Sequence, residues 1–366
     1  MSARPLSVAL FTSARTWRGS GASLAIIAEG LVQRGHRAHL LAGDDEVVEA
    51  FARLGLPASR VPAGDTGVRE ASAVARLLRR IGADAILVDR PRDLRLAALA
   101  SIHHPLAIVN RYNLSRARPP SDLLSRLAYR RVGLTVFVSR ASADRTLQLA
   151  PYILRRPHRV IHGAVDPSRF RPDPGAALAF RQTHGLTDAP FALAVGSLAP
   201  EKRYDFLLEA WQRLGADAPP LLVCGEGGDE ARLRDRAGEL GLDVRWLGQL
   251  ERDQVPAAYA AATCLVHAGA VETFGLSVLE AMVSSLPVVA VRGGAVPEVL
   301  GDAGMLAPVD DVAVFTGLVR ELLADPGRRA ALGAAGRSRA LQHFSLDVMR
   351  STYAAAIESV CAKVAG

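Results

Sequence analysis

Residues 272–280, Glu272-Thr-Phe-Gly-Leu-Ser-Val-Leu-Glu280, decide how this chain is read. Two carboxylates stand eight positions apart, one on each side of a Phe-Gly-Leu turn. Cys264-Leu265-Val266 upstream reads as a short buried strand, and Leu276, Leu279, Met282 and Val283 downstream repeat at helical spacing. The order is therefore strand, loop with Glu272, helix start at Phe274, Gly275 and Leu276, then Glu280 one turn inside. Free N–H groups and the positive dipole end of such a helix point at an anion. An ionised carboxylate only accepts hydrogen bonds, so it suits the two O–H donors of a diol. A phosphate flanked by sugar hydroxyls meets both demands, which outlines a sugar-nucleotide site.

The same alternation runs through the whole chain. Strands are expected at 7–12, 38–42, 85–88, 107–109, 135–138 and 159–161, then at 191–195, 221–224, 244–247, 264–266 and 288–291. Helices are expected at 22–34, 46–53, 68–81, 203–214, 229–240 and 275–284, with a final one at 345–362. Strands alternating with helices imply parallel sheets covered on both faces. The Pro-rich polar stretch 166–174 reads as a link between two halves. The expected fold is α/β, with an N-terminal Rossmann-like domain over 1–166, a linker over 167–190 and a second Rossmann-like domain over 191–344. A terminal helical segment, 345–366, is expected to cross back to the first domain. A length of 366 residues suits two domains, and an apolar share of 49% fills two cores.

No apolar run reaches the roughly 18 residues a membrane span needs. The first eleven residues read as a buried strand rather than a signal peptide. Cys224, Cys264 and Cys361 lack metal-ligand spacing and read as small buried hydrophobes, which fits a reducing cytoplasm. Charge is unevenly divided. Residues 1–165 hold 25 Arg and no Lys against 12 acidic residues, whereas the remainder is net negative. Such a split points to an anionic partner for the first half, an acceptor or a membrane surface, with composition bias as the bland alternative. Helices 68–81 and 121–132 carry the arginines beside Leu77, Leu78, Leu123, Leu124 and Leu127. A basic amphipathic helix can lie on anionic lipid, although an ordinary solvated face has the same pattern. Nothing points to nucleic acid.

Ligands of doubly wound sheets bind at the carboxyl ends of strands. Four loops there stand out in the second half. Gly196-Ser197-Leu-Ala-Pro-Glu-Lys202-Arg203 follows a strand, and Lys202 is one of two lysines in the chain, a compact charge suited to a diphosphate. Gly225-Glu226-Gly227-Gly228 closes another strand, where a base could approach the backbone. The segment from Glu272 is the third loop, and Arg292-Gly-Gly-Ala-Val-Pro-Glu298 the fourth.

Together these loops resemble the retaining glycosyltransferases of family 4, which have the GT-B fold, two doubly wound Rossmann-like domains facing across a cleft. The resemblance runs through Arg34-Gly-His36, Val160-Ile-His-Gly-Ala-Val-Asp166, 195–202, 225–227, Leu247-Gly248, 272–287, 293–298, Gly304-Met-Leu-Ala-Pro308 and His343-Phe-Ser345. It implies that Glu272 and Lys202 carry the catalytic roles, with Glu272 on the donor sugar's hydroxyls and Lys202 on the diphosphate. Glu280 would hold the ribose, and Phe274, Gly275 and Leu276 would offer N–H groups to the phosphates. Ser197, Arg203, Gly225 and Glu226 belong to the same donor site, and Gly19 and Gly21 match the first-domain glycine loop. The donor would be a UDP-, GDP- or ADP-linked sugar, with no cofactor and no metal. The acceptor would be a glycan, a lipid-linked molecule or another anionic compound, met at the inner face of the membrane.

Three positions depart from the family pattern. Ser197 stands where an Arg is usual, which leaves Lys202, with Arg203 or Arg292, to neutralise the diphosphate. Asn110-Arg111-Tyr112-Asn113 replaces a common His after the strand, so Asn110, Arg111 and Tyr112 are assigned to the acceptor side. Ser285 stands where Gly is common. The first two keep open a catalytically silent sugar-nucleotide or glycan-binding subunit, and the fold alone also admits a sugar-nucleotide epimerase.

Overall fold

The computed structural model describes residues 4–14, 19–62, 66–112, 122–251 and 253–365. The chain divides into two compact units, residues 1–163 with 346–366, and residues 164–345. The expected residues Asn113 and Ser121 lie outside the described residues.

Unit 1 begins with β1 (Ser7–Thr12), α1 (Gly19–Gln33), β2 (Arg37–Ala42), α2 (Asp45–Arg53), β3 (Ala58–Arg60) and α3 (Val68–Arg80). It continues through β4 (Ala85–Val88), α4 (Pro91–Ala100), β5 (Ala107–Tyr112), α5 (Leu123–Arg130), β6 (Val132–Phe137), α6 (Arg140–Leu149) and β7 (His158–Val160). The strands form one parallel sheet in the order β3-β2-β1-β4-β5-β6-β7. All six residues of β1 and all four of β4 are buried, as befits strands covered on both faces. Alternate strand residues, among them Ala9, Phe11, Ile86, Val88 and Ile108, share one core with Val74, Leu77 and Leu78 of α3, Leu94 and Ala97 of α4, and Tyr129 of α5.

Unit 2 opens with α7 (Pro174–Thr183), β8 (Ala192–Val195), α8 (Tyr204–Leu214), β9 (Leu221–Cys224), α9 (Glu230–Glu239), β10 (Val244–Gly248) and α10 (Val255–Ala261). After these come β11 (Cys264–His267), α11 (Leu276–Val283), β12 (Val288–Val291), α12 (Val296–Leu300), β13 (Met305–Ala307), α13 (Val312–Ala324) and α14 (Pro326–His343). Its parallel sheet runs β10-β9-β8-β11-β12-β13, reversing direction between β8 and β11. The stretch 167–190 holds a helix, α7, which packs on α10 within this unit.

The last helix, α15 (Leu346–Ala365), packs on α1 and β5 of unit 1. Gly30 makes this close contact, because a Cβ there would meet the Arg350 Cα at 2.8 Å. Arg34 and His36 clamp the far end, both binding Glu358 Oε1 at 2.9 Å. Part of the Arg34-Gly-His36 motif thus anchors a helix more than three hundred residues away.

Several helices went unread in the sequence. Pro91 and Asp93 occupy the first turn of α4, where Pro and an acidic residue are favoured, yet the Asp-Arg-Pro-Arg-Asp run looks like a polar loop. No helix among the described residues is long and apolar enough to cross a membrane.

Candidate active site

The reversal between β8 and β11 places the loops after these two strands side by side at the carboxyl end of the unit 2 sheet. Lys202 comes from the first and Glu272 from the second. Lys202 Nζ donates to Glu272 Oε2 at 2.6 Å, and both side chains are largely buried. Burial opposes ionisation of Glu272, but Lys202 and His267 beside it prevail and hold the carboxyl below its usual range. His267 closes β11, with Nε2 3.6 Å from the same Glu272 oxygen and without a hydrogen bond. Burial drives the His267 pKa down to about 4, against the pull of Glu272, so the ring is neutral at pH 7.

Gly275 caps α11 in a left-handed conformation, and no side chain caps this helix. Leu279 N–H takes the Gly275 carbonyl as the first intrahelical bond, so the N–H groups of the first turn remain available to a ligand. Phe274 turns inward against Phe344, which seats the turn, while Leu276 is exposed. One turn on, Glu280 accepts a 2.8 Å hydrogen bond from the Tyr259 hydroxyl of α10. Burial raises the Glu280 pKa to about 7, opposed by that hydrogen bond and by Arg169.

Two glycine pairs tie these loops together. A Cβ on Gly225 would lie 2.0 Å from the Gly196 carbonyl oxygen, and one on Gly227 2.1 Å from that of Leu198. The glycines after β9 are therefore required by the neighbouring loop of the protein, a different reason from the base approach expected of them. Gly293 and Gly294 press on the backbone of Ala270 and Glu272, where a Cβ would come within 2.6 and 2.2 Å. Ala295 N–H then binds the Glu272 carbonyl, so the Arg292 loop buttresses Glu272. Glu226 is exposed and takes a hydrogen bond from Gln249 N–H at the end of β10, and Ser197 is exposed on the β8 loop.

Other expected residues are placed elsewhere. Arg203 sits at φ 56° before α8 and donates to the Val309 carbonyl and the Asp310 carboxylate, so it does not join Lys202 and Glu272. Asn110, Arg111 and Tyr112 are all buried in β5 and do not form an acceptor surface. Alternate strand residues point to opposite sheet faces. Asn110 thus meets Tyr129 of α5, and Tyr112 packs on Phe137, whereas Arg111 donates to the Tyr353 hydroxyl of α15 on the other side. Gly19 and Gly21 lie in the first turn of α1, and residues 15–18 of the expected glycine loop are outside the described residues.

Sequence reading missed His267, Tyr259 and Arg169. A histidine closing a buried strand five positions before Glu272 was a legible signal, but nothing in the sequence links α10 to Glu280. Two buried carboxylates of unit 1 were also missed. Burial lifts Asp89, and Asp93 rises to about 7 through burial and the charge of Asp89, opposed by the Ser13 N–H bond. Among the described residues, no group of three or more His, Cys, Asp or Glu could hold a metal ion.

The family model for Glycosyl transferases group 1 matches residues 178–339, and that for Glycosyltransferase Family 4 matches residues 17–169. A GDP-mannose-dependent alpha-(1-6)-phosphatidylinositol monomannoside mannosyltransferase from Mycolicibacterium smegmatis is 33% identical over 61% of this chain and 61% of its own length. A GDP-mannose-dependent monoacylated alpha-(1-6)-phosphatidylinositol monomannoside mannosyltransferase from Corynebacterium glutamicum is 36% identical over 50% of this chain and 52% of its own. The chain thus spans about half to three-fifths of the length of these curated relatives. Among solved structures, Anabaena HepE in complex with UDP superposes with a TM-score of 0.85 at 19% identity, covering 97% of this chain and all of that one. A glycosyltransferase from Rickettsia africae gives 0.87 at 15% identity, over 98% and 99% of the two chains. The two parallel sheets and the two family matches, which lie on either side of residues 170–177, place this chain in the family-4, group 1 glycosyltransferases of GT-B fold.

Proposed function

We propose that the chain transfers a hexosyl residue from a nucleotide diphosphate sugar to an anionic, lipid-linked acceptor, with retention of anomeric configuration. The observation that carries this reading is the Lys202–Glu272 pair beside the uncapped start of α11, with Glu280 one turn inside. The diphosphate would take the first-turn N–H groups of α11 and the Lys202 ammonium. Glu280 would accept the ribose hydroxyls through the oxygen not bound to Tyr259, and Glu272 would orient the donor sugar. The sugar–phosphate bond breaks as the acceptor oxygen attacks the same face, and the departing phosphate takes the acceptor's proton. Lys202 and the helix dipole carry the charge left on the diphosphate, so neither a metal nor a cofactor is part of the scheme.

The relatives named above use GDP-mannose, which makes GDP-mannose the first donor to test. Their phosphatidylinositol-based acceptors agree with the excess of arginine in the first 165 residues, and with work at the inner face of a membrane. A silent sugar-nucleotide-binding subunit is the second reading, favoured by Ser197 and by the engagement of Arg203 with Asp310. Slow donor hydrolysis across GDP-, UDP- and ADP-sugars separates the two. Turnover of one donor that is lost in Lys202→Ala supports the transferase, and binding without turnover under every condition supports the silent subunit.

A further inference from the structure

His267 is a buried imidazole beside the Lys202–Glu272 pair. It ends β11, whose four residues are all buried, and its side chain is only 5% exposed. Its Nε2 has no hydrogen-bond partner among the described residues. An unpaired polar atom in such a place lowers stability, and a hydrocarbon side chain of similar size would avoid that loss. The ring is nonetheless given room. A Cβ on Gly269 would lie 2.8 Å from His267 Nε2, so the imidazole occupies the space that this glycine leaves open.

Nε2 faces one particular atom. It lies 3.6 Å from Glu272 Oε2, the same oxygen that Lys202 Nζ holds at 2.6 Å. A shift of about 0.7 Å would bring the ring to hydrogen-bond length. Glu272 cannot follow Lys202 elsewhere, because Ala295 N–H binds its carbonyl and Gly294 presses on its backbone. Lys202 can turn, since its ammonium rides on a flexible four-carbon stem with three donors. A bound diphosphate competes for that ammonium and leaves Glu272 less neutralised. Burial already works against the charge of Glu272, and Thr273 N–H stays in place only as a lesser support. The ring nitrogen is aimed at the oxygen that Lys202 gives up.

We infer that His267 is a positioning residue of the donor site: as Lys202 turns to a bound diphosphate, His267 donates through Nε2–H to Glu272 Oε2 and holds that carboxylate, still charged, toward the donor sugar. This role rests on the donor site proposed above and adds a residue to it. No proton changes hands, because the ring is neutral at pH 7 and donates from the nitrogen that carries its proton. Calorimetric titration of GDP into the full chain, with UDP and ADP in parallel, tests it. His267→Leu should weaken the preferred diphosphate about tenfold, roughly the worth of one hydrogen bond to a charged group. The same variant should not lower the Tm of the free protein. His267→Gln, whose amide N–H₂ can reach the place of Nε2, should recover most of the lost affinity. In a Glu272→Gln background, His267→Leu should have no further effect, since the charged acceptor is gone.

Wild-type affinity in His267→Leu, a Gln variant no better than Leu, or an undiminished effect of Leu in the Glu272→Gln background overturns the inference. Nitrogen-15 spectra of the wild-type chain with labelled histidine check it without any substitution. With the diphosphate bound, the His267 proton should sit on Nε2, and a proton on Nδ1 would overturn the role. Donor hydrolysis, measured separately, distinguishes this role from the transferase reading. The expected affinity pattern without turnover of any donor sinks the transferase reading alone. Donor turnover with diphosphate affinity unmoved in His267→Leu sinks the role of His267 alone. A chain that binds none of the three diphosphates refutes both.

Discussion

The carboxyl ends of the two sheets carry similar side chains put to different uses. In unit 2, Lys202 and Glu272 come from two loops that meet at the sheet's point of reversal, beside His267 at the end of β11 and the uncapped start of α11. In unit 1, Asn110, Arg111 and Tyr112 follow one another in β5 and are divided between two buried faces of the sheet. Polar residues at a strand end therefore make a site only where loops turn them toward common space. Within the strand, alternation separates them and burial makes them structural.

The largest expected effect breaks the comparison from the unit 1 side. Arg111→Ala removes the partner of Tyr353 and the cation facing Asp89, both buried, and should cost about 3 kcal/mol of stability. Urea unfolding measures this, and a loss below about 0.5 kcal/mol would return Arg111 to the ranks of possible surface residues. From the unit 2 side, Lys202→Ala should lower kcat/KM for donor turnover about a hundredfold, with a stability loss smaller than that of Arg111→Ala although it leaves the largely buried Glu272 carboxyl without its cation. A stability loss in place of a rate loss would make the pair with Glu272 a structural one.

Glu280→Gln should weaken nucleotide diphosphate binding about tenfold, since a neutral amide is a poorer partner for two hydroxyl donors. The pKa near 7 adds a pH signature. The wild-type carboxyl is mostly neutral at lower pH, so nucleotide affinity should rise as pH increases through about 7, and the Gln variant should lack that rise. The folded-state pKa lies above the unfolded one, so the stability contributed by this group is complete below about 4.5 and is lost as pH rises through about 7. The smallest effect concerns Ser285, which occupies φ 58° just after α11. The bonds Leu286 N–H to Ala281 carbonyl and Ser285 N–H to Met282 carbonyl make a Schellman end, where Gly is favoured. Ser285→Gly should therefore stabilise the protein by about 1 kcal/mol, visible as a rise in Tm.

Much of this was legible in the sequence, for identifiable reasons. The α11 site lies within nine consecutive residues, so strand, loop and helix periodicity reveal it together. Lys202 stands out through the rarity of lysine. Arg203 was misread because its left-handed backbone turns the side chain toward Val309 and Asp310, a conformation that no pattern announces. Tyr259 reaches Glu280 from another helix, and the glycines after β9 answer to the neighbouring β8 loop; contacts of that kind exist only once the sheet has formed. The exposure of Leu123 and Leu127 is a matter that the amphipathic pattern of helix 121–132 left open.

The central claim is that Lys202 and Glu280 hold a nucleotide diphosphate at the start of α11. Calorimetric titration of GDP into the wild-type chain, Lys202→Ala and Glu280→Ala at constant pH tests it most directly. The account predicts measurable wild-type binding, weakened about tenfold or more in each variant while both remain folded at the titration temperature. Wild-type affinity retained in both variants would contradict it.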